Sequence, residues 1–349
     1  MDGQTNRRAL LGAMPAAAIG LALAGCGQKA AADGKQSGHL GAARTVAWAI
    51  GTTGSDFVTE ISLGIADAAE MLGWRFNRIL NAAASPDAHI SAIRQAVTSR
   101  ADVIITVDWY QAVVDEIAKG MKQGARFALV NSANNPDTLA PLKVPFVGQD
   151  PRTTGKLMGE RIAEALKAKG VTSGSVLVGN PFPGSLNVEE RIAGVGEGLA
   201  SAGGGLKLVA FPDNAAQDSA ASVGLYKAKI TGTGDVVAHA VAGSEMSAIP
   251  LSKALAELGS RPGQVIVGGW ASSLKVLNLV KEGAMSFALD ENLYYQGFFA
   301  TLLAWSELER QIPAIDLSSG HVWVTPDSVD GMIESYNNRM KRAAAYGLS

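Results

Sequence analysis

Residues 85–107 have the sequence "SPDAHISAIRQAVTSRADVIITV", which contains a helix pattern followed directly by a strand pattern. Ser85 is a favourable helix N-cap, and Pro86 suits the first turn, where its missing N–H leaves no hydrogen bond unmade. Apolar residues then recur at helical spacing, and the short apolar run "ADVIITV" predicts a buried strand. The segment indicates one repeating unit of an α/β fold.

The same alternation begins at Arg44 and continues on both sides of this segment. The run "RTVAWAI" predicts a strand, and "FVTEISLGIADAAEMLG" predicts a helix that ends at Gly73. Strand patterns in "WRFNRIL" and "RFALVN", with a helix pattern in "QAVVDEIAKGMKQG", complete the series. Strands that alternate with helices favour a parallel sheet with helices on both faces.

A second series of strands and helices runs from "VPFVGQD" to "QGFFATLLAWSELERQ". With 349 residues, 47% of them hydrophobic, the chain can bury the core of one large domain or of two ordinary ones. We expect two Rossmann-like lobes with parallel sheets, joined by a three-segment hinge and facing each other across a cleft. The predicted lobes comprise residues 44–149 with 292–321, and residues 150–291 with 322–349.

The N-terminal residues have the pattern of a bacterial export signal. Arg7 and Arg8 precede an uncharged apolar run that is short for a membrane span. The sequence "LAGC" resembles a lipobox, so residues 1–26 are predicted to be a signal peptide and Cys26 a lipidated residue. Residues 27–43 are rich in Gly, Ala and Ser and predict a flexible tether. The arginine pair leaves the twin-arginine and Sec routes both open.

Composition and missing motifs argue against several classes of function. The formal charge of −2 contains no long basic run, so no nucleic-acid partner is expected. The four histidines show no metal-ligand spacing, and Cys26 is the only cysteine, so we predict neither a metal nor another cofactor. The sequence also lacks a G-x-S-x-G elbow, a Walker A loop and a G-x-G-x-x-G fingerprint after its first strand.

Polar and aromatic residues follow almost every predicted strand. Ligands of open parallel sheets bind beyond the carboxyl ends of the strands, so these residues predict a polar small-molecule site with aromatic platforms. The candidate ligand-binding residues are Ser55, Asp56, Phe57, Asp108, Trp109, Asn131, Arg191, Ser244, Glu245, Trp270, Asp290 and Glu291. The acidic members could instead cap helices, and Arg191 could pair with a neighbouring glutamate on its helix.

Trp270 stands at the end of the strand pattern in "VIVGGWASS", after two glycines. An aromatic face packs well against the C–H side of a sugar ring, so Trp270 and Phe57 are predicted to be ligand platforms. The alternative is that Trp270 packs beneath a loop as a cap on the sheet.

The order and spacing of these segments resemble the periplasmic sugar-binding proteins of ABC transporters, of the ribose/galactose type. The resemblance extends over about Arg44 to Pro326 and includes "AIGTTGSDFV", "GQDPRTTGKLMGERIAEAL", "NVEERIAGVGEGL" and "IVGGWASS". It implies a type I periplasmic binding protein fold, which LacI-like repressors share in their effector domains. It also implies a sugar or polyol ligand, an ABC transporter permease as partner, and no catalysis.

Individual site positions match this family in part. The resemblance implies that Phe57 covers the sugar and that Arg191 binds it. Asn131 falls where the family often has an Asp-Arg pair, and Ser244 with Glu245 replaces its usual Asn-Asp pair. Trp270 occupies the position of an aspartate and Glu291 that of a glutamine. These departures leave the identity of the sugar open.

Three other functions need to be compared with these sequence features. A ligand-presenting co-receptor for a membrane sensor or chemoreceptor would have the same fold and site. A glycoside-processing enzyme would need two carboxylates at a defined spacing, which the sequence does not indicate. A LacI-type repressor would need a DNA-binding head where this chain has an export signal. We expect a monomeric protein of the periplasm or cell envelope, held at the membrane by a lipid anchor.

Overall fold

The computed structural model describes residues 42–82, 85–131, 143–216 and 218–348. The predicted signal peptide, Cys26 and nearly all of the predicted tether lie outside the described residues. Within the described ranges, no helix combines the length and the apolar character needed to cross a membrane.

The first sheet has six strands in the order β11-β5-β4-β3-β1-β2, and all of its neighbouring strands are parallel. Its strands are β1 (Thr45–Ile50), β2 (Arg75–Leu80), β3 (Val103–Thr106), β4 (Phe127–Asn131), β5 (Phe146–Gly148) and β11 (Leu317–Ser318). Helices α1 (Asp56–Leu72) and α9 (Leu293–Arg310) cover one face, and α2 (Pro86–Thr98) and α3 (Gln111–Lys122) cover the other.

The second sheet also has six strands, in the order β12-β10-β9-β8-β6-β7. Its strands are β6 (Ser173–Asn180), β7 (Gly205–Pro212), β8 (Val236–Val241), β9 (Ile266–Ala271), β10 (Phe287–Asp290) and β12 (Val322–Val324), of which only β12 is antiparallel to its neighbour. Helices α4 (Pro151–Ala168) and α5 (Leu186–Ser201) cover one face, and α6 (Ser219–Thr233), α7 (Glu245–Glu257) and α8 (Leu274–Lys281) cover the other.

Local sequence signals account for several helix ends. Ser55 and Ser85 accept hydrogen bonds from backbone N–H groups in the first turns of α1 and α2, at 3.3 and 3.2 Å. Gly73 ends α1 with φ of 71°, a left-handed conformation that costs glycine little. Gly155 lets α4 approach α5 closely, because a Cβ there would lie 2.3 Å from the Arg191 carbonyl oxygen.

The chain crosses between the two sheets at three neighbouring segments. Gln149 donates from Nε2 to the carbonyl oxygens of Asp290 at 2.9 Å and Gly320 at 2.7 Å. Asn292 donates from Nδ2 to the carbonyl oxygen of Ser319 at 2.8 Å. Side chains of two crossing segments therefore hold all three together.

The helix α10 (Val329–Ala345) follows the last crossing, where the sequence analysis predicts no element. The short strands β11 and β12 were also missed, since runs of two or three residues give no measurable periodicity. The predicted α/β fold with two parallel-sheet lobes is confirmed.

Candidate ligand-binding site

A cavity of about 610 Å³ lies at the carboxyl ends of the strands and is lined from both sheets. Its size is typical of a site for a small organic ligand. Nine predicted residues line it, namely Ser55, Asp56, Phe57, Trp109, Asn131, Arg191, Ser244, Glu245 and Glu291. The remaining predicted residues, Asp108, Trp270 and Asp290, are not among its lining residues.

Trp270 is predicted to be a ligand platform, but it does not line the cavity. β9 continues through Trp270 to Ala271, and alternation along the strand turns the indole onto the face covered by α4 and α5, together with Ile266. The residue has 0% of its surface exposed, and the guanidinium of Arg191 lies 4.8 Å from its ring centroid. Trp270 supports a cavity residue from beneath and does not face the cavity itself.

Asp290 and Asp108 also differ from their predicted positions. Asp290 ends β10 and lines a separate cavity with Glu60, whereas Glu291, one residue later, lines the cleft. Successive residues of an extended chain point to opposite sides, which explains this division. Asp290 Oδ1 accepts a hydrogen bond from the Asn292 N–H at 2.8 Å, and burial raises the Asp290 pKa. Asp108 has 0% of its surface exposed.

A chain of buried polar contacts centres on Glu291. One Glu291 carboxylate oxygen accepts hydrogen bonds from Arg191 Nη2 and, at 3.3 Å, from Asn131 Nδ2. Asn131 Oδ1 in turn accepts a hydrogen bond from Trp109 Nε1 at 3.1 Å. Arg191 and Glu291 are 5% and 4% exposed, so each buried charge has an opposite charge beside it. The Glu291 carboxylate therefore connects Asn131, at the end of β4 in the first sheet, with Arg191 on α5, which covers the second sheet.

Arg191 retains hydrogen-bonding capacity within this arrangement. Its Nη1 has a long contact of 3.5 Å with the carbonyl oxygen of Ala242. Its Nε is buried and has no hydrogen-bond partner among the described residues. A buried N–H without an acceptor is costly to the fold.

Aromatic rings form one wall of the cavity. The centroids of Phe57 and Trp109 are 5.4 Å apart with an interplanar angle of 43°, and the His89 ring meets Trp109 edge-on at 6.4 Å. Phe182 lines the cavity from the second sheet. An apolar ring surface and a polar network therefore share one site.

His89 also lines the cavity, although its sequence context, without metal-ligand spacing to another histidine, predicts no site residue. Its Nε2 lies 2.8 Å from Thr106 Oγ1, which donates its own proton to the Ala49 carbonyl oxygen, so Nε2 is the donor. Burial lowers the His89 pKa to about 4, which keeps the ring neutral at pH 7. Asn187 also lines the cavity and is not among the predicted site residues, and neither is Phe182, although the sequence "NPF" stands at the end of a predicted strand.

Two backbone contacts connect the rims of the cavity. Asp56 Oδ2 accepts a hydrogen bond from the Leu274 N–H at 3.1 Å, and the Trp109 carbonyl accepts one from the Leu186 N–H at 3.2 Å. The first contact joins the start of α1 to the start of α8, and the second joins the loop after β3 to the start of α5. Each therefore connects an element beside the first sheet to a helix beside the second. Glu245 lies at the edge of the cavity and pairs with Lys275 at 3.5 Å. In the described part of the chain, no group of three or more His, Cys, Asp or Glu side chains is arranged to hold a metal ion.

The sequence profile of the family described as "Periplasmic binding protein domain" matches residues 46–311, which is most of the chain. The chain belongs to the periplasmic binding protein family. This is a family of binding proteins and not of enzymes.

Individual relatives share the fold of this periplasmic binding protein. The D-ribose/D-allose-binding protein of Pseudomonas aeruginosa is 25% identical over 227 residues, which cover 64% of this chain and 68% of that protein. A solute-binding protein of Agrobacterium radiobacter, solved with D-arabinose, superposes with a TM-score of 0.74 at 21% identity, covering 84% of this chain and 99% of that one. A solute-binding protein of Agrobacterium vitis, solved with α-D-tagatopyranose, gives a TM-score of 0.73 at 16% identity, covering 84% and 98%. These likenesses confirm the type I periplasmic binding protein fold.

Proposed function

We propose that this periplasmic binding protein captures an uncharged sugar or polyol in the cleft and delivers it to the permease of an ABC transporter. The observation that carries the proposal is a cavity that combines an aromatic wall with a buried polar network from both sheets. The relatives solved with D-arabinose and α-D-tagatopyranose support a monosaccharide as the ligand class.

The aromatic wall suits the apolar side of a sugar ring. Phe57 and Trp109 are half-buried against each other and present ring surface to the cavity. Ring C–H groups pack on such surfaces, and Arg191, whose Nη1 makes a long contact of 3.5 Å, and Asn187 line the same cavity as hydrogen-bonding partners for sugar hydroxyls.

The charges of the cavity favour a neutral ligand. Arg191 is the one basic side chain among the described lining residues apart from the neutral His89, and Glu291 already compensates it. Asp56 and Glu245 add negative charge on the rim. A sugar phosphate or sugar acid would be repelled, because it would bring further negative charge without an uncompensated cation to meet it.

Closure of the two lobes is the proposed binding motion. A ligand that contacts both sheets stabilises the closed arrangement over any open one. The crossing segments around Gln149, Glu291 and Gly320 would absorb the rotation. The lobes would comprise residues 44–149 with 292–321, and residues 150–291 with 322–349.

The N-terminal sequence supports export and anchoring. In this proposal, residues 1–26 direct the chain through the twin-arginine or Sec route, and Cys26 is lipidated. Residues 27–43 would link the anchor to the folded body. Metabolic labelling with palmitate should mark the protein, and Cys26→Ser should abolish the label. An equally labelled Cys26→Ser variant would contradict the anchor.

The ligand is tested by calorimetry and thermal unfolding of the chain from residue 27 onward, which contains every described residue. The probes are D-ribose, D-allose, D-arabinose, D-tagatose and myo-inositol, with D-ribose 5-phosphate as the anionic control. A neutral probe present at a hundred times its dissociation constant should stabilise the fold by about 2.7 kcal/mol. Binding of the phosphate alone, or of no probe, would contradict the proposed ligand class.

A further inference from the structure

The helix α10 contacts both halves of the protein. Val329 and Tyr336, in its first part, are buried in the apolar cluster on the face of the second sheet that α8 covers. Ala343, near its end, packs with Leu63 of α1, and α1 covers the first sheet. α10 therefore crosses the division between the two sheets.

Two arginines of α10 bind carboxylates on α1. Arg339 makes a bidentate pair with Glu60, with N–O distances of 3.1 and 3.0 Å. Arg342 Nε lies 2.8 and 3.0 Å from the two carboxylate oxygens of Asp67. Glu60 and Asp67 are only 6% and 8% exposed, so these pairs are less screened than surface ion pairs.

A third contact connects α10 to the rim of the cleft. Burial and the nearby Asp56 carboxylate, at the first residue of α1, raise the pKa of the Tyr336 hydroxyl. Asp56 also accepts the N–H of Leu274 at the start of α8. The contacts of α10 with α1 are thus continuous with the contact between the two rims.

We propose that α10 is a strap that favours the closed arrangement of the lobes over the open one before sugar binds. Separation of α1 from α8 would detach one end of α10. If the end near α1 detaches, the carboxylates of Glu60 and Asp67 lose their arginines. If the end near α8 detaches, the apolar surface of Val329 and Tyr336 becomes exposed. The strap shifts the population of the free protein toward the binding-competent closed form, which raises apparent affinity.

This inference rests on the two-lobed motion of the proposed function but not on the identity of the sugar. The test is small-angle X-ray scattering of the chain from residue 27 onward without added sugar. Wild type is compared with Arg339→Met/Arg342→Met. The control is Arg152→Met, which removes ion pairs to Glu190 and Glu197 that lie within the second lobe.

Wild type and Arg152→Met should scatter as the closed structure, and the double variant should shift to a larger radius of gyration. Exchanging the charges in Asp67→Arg/Arg342→Asp should restore the compact profile relative to Arg342→Asp alone. A double variant as compact as the control, or a wild type that is already open, would overturn the strap. If the double variant does not fold by circular dichroism, Arg342→Met alone decides, since its side chain is 55% exposed. A compact wild type that binds no sugar would refute the proposed ligand and leave the strap standing.

Discussion

The guanidinium of Arg191 lies 4.8 Å from the ring centroid of Trp270, and both residues are buried in the second lobe. The face of the indole orients the plane of the guanidinium. At the edge of that plane, Arg191 Nη2 donates a hydrogen bond to the Glu291 carboxylate. Trp270 thereby positions a cleft residue without lining the cleft.

Trp270→Ala should lose sugar binding and also destabilise the fold. Removing a fully buried indole leaves a cavity, and the expected loss is about 3–5 kcal/mol in the free energy of unfolding. Trp270→Phe keeps a ring beneath Arg191 and should retain binding within about tenfold, or about 1.4 kcal/mol. Denaturant unfolding and calorimetry measure the two effects. An alanine variant with wild-type stability would show that the indole is not in the core.

Glu291→Gln should lower the free energy of unfolding by about 3 kcal/mol, because it leaves the buried Arg191 charge without its carboxylate. Arg191→Met/Glu291→Gln should recover part of that loss, since no charge then remains buried. A double-mutant cycle by urea unfolding gives the coupling. Additive effects would contradict the pair. The double variant should not bind sugar, because it lacks Arg191, the proposed hydrogen-bond donor to the ligand.

Phe57→Ala should weaken sugar binding about tenfold or more, because it removes one ring of the aromatic wall. Phe57 is only partly buried, so we expect its effect on unfolding to be smaller than that of Trp270→Ala. Tyr295→Ala is a matched control, since that ring is 50% exposed and does not line the cleft. Equal dissociation constants for both variants would remove Phe57 from the proposed site.

His239→Leu should make the protein less sensitive to acid. Burial lowers the His239 pKa to about 4, and its Nδ1 has no hydrogen-bond partner among the described residues. Between pH 6.5, where the unfolded histidine is half protonated, and pH 4, the unfolded state holds more protons than the native state. The native state therefore loses stability as the pH falls through this window, by about 3 kcal/mol for one such histidine.

The measurement is urea unfolding of wild type and His239→Leu at several pH values. The stability advantage of the variant should grow as the pH falls through the window. His89, whose pKa burial also lowers, and Glu60, whose pKa burial raises to about 7, remain in both proteins, so their contributions cancel. Parallel pH curves would contradict a neutral, buried His239.

The sequence alone determined the α/β alternation and several helix starts, because these depend on residues close together in the chain. Ser85 and Pro86 begin α2 as predicted, and Gly73 ends α1. The strand pattern also predicts that the candidate ligand-binding side chains lie together, since parallel strands bring their carboxyl ends to one edge, and nine of them line one cavity.

The side chains that meet in the cleft depend on packing between elements that are far apart in the chain. Trp270 was predicted to face it, but β9 extends through Trp270 to Ala271, and alternation along the strand turned the ring into the core. Arg191 and Glu291 are separated by 100 residues, and their contact depends on how α5 and the β10 end pack. The strap formed by α10 has the same origin, because Arg339 and Glu60 are separated by 279 residues and meet only through tertiary packing. The local sequence determines on which face of a helix or strand a side chain lies. The packing of helices and strands determines which other side chains that face contacts.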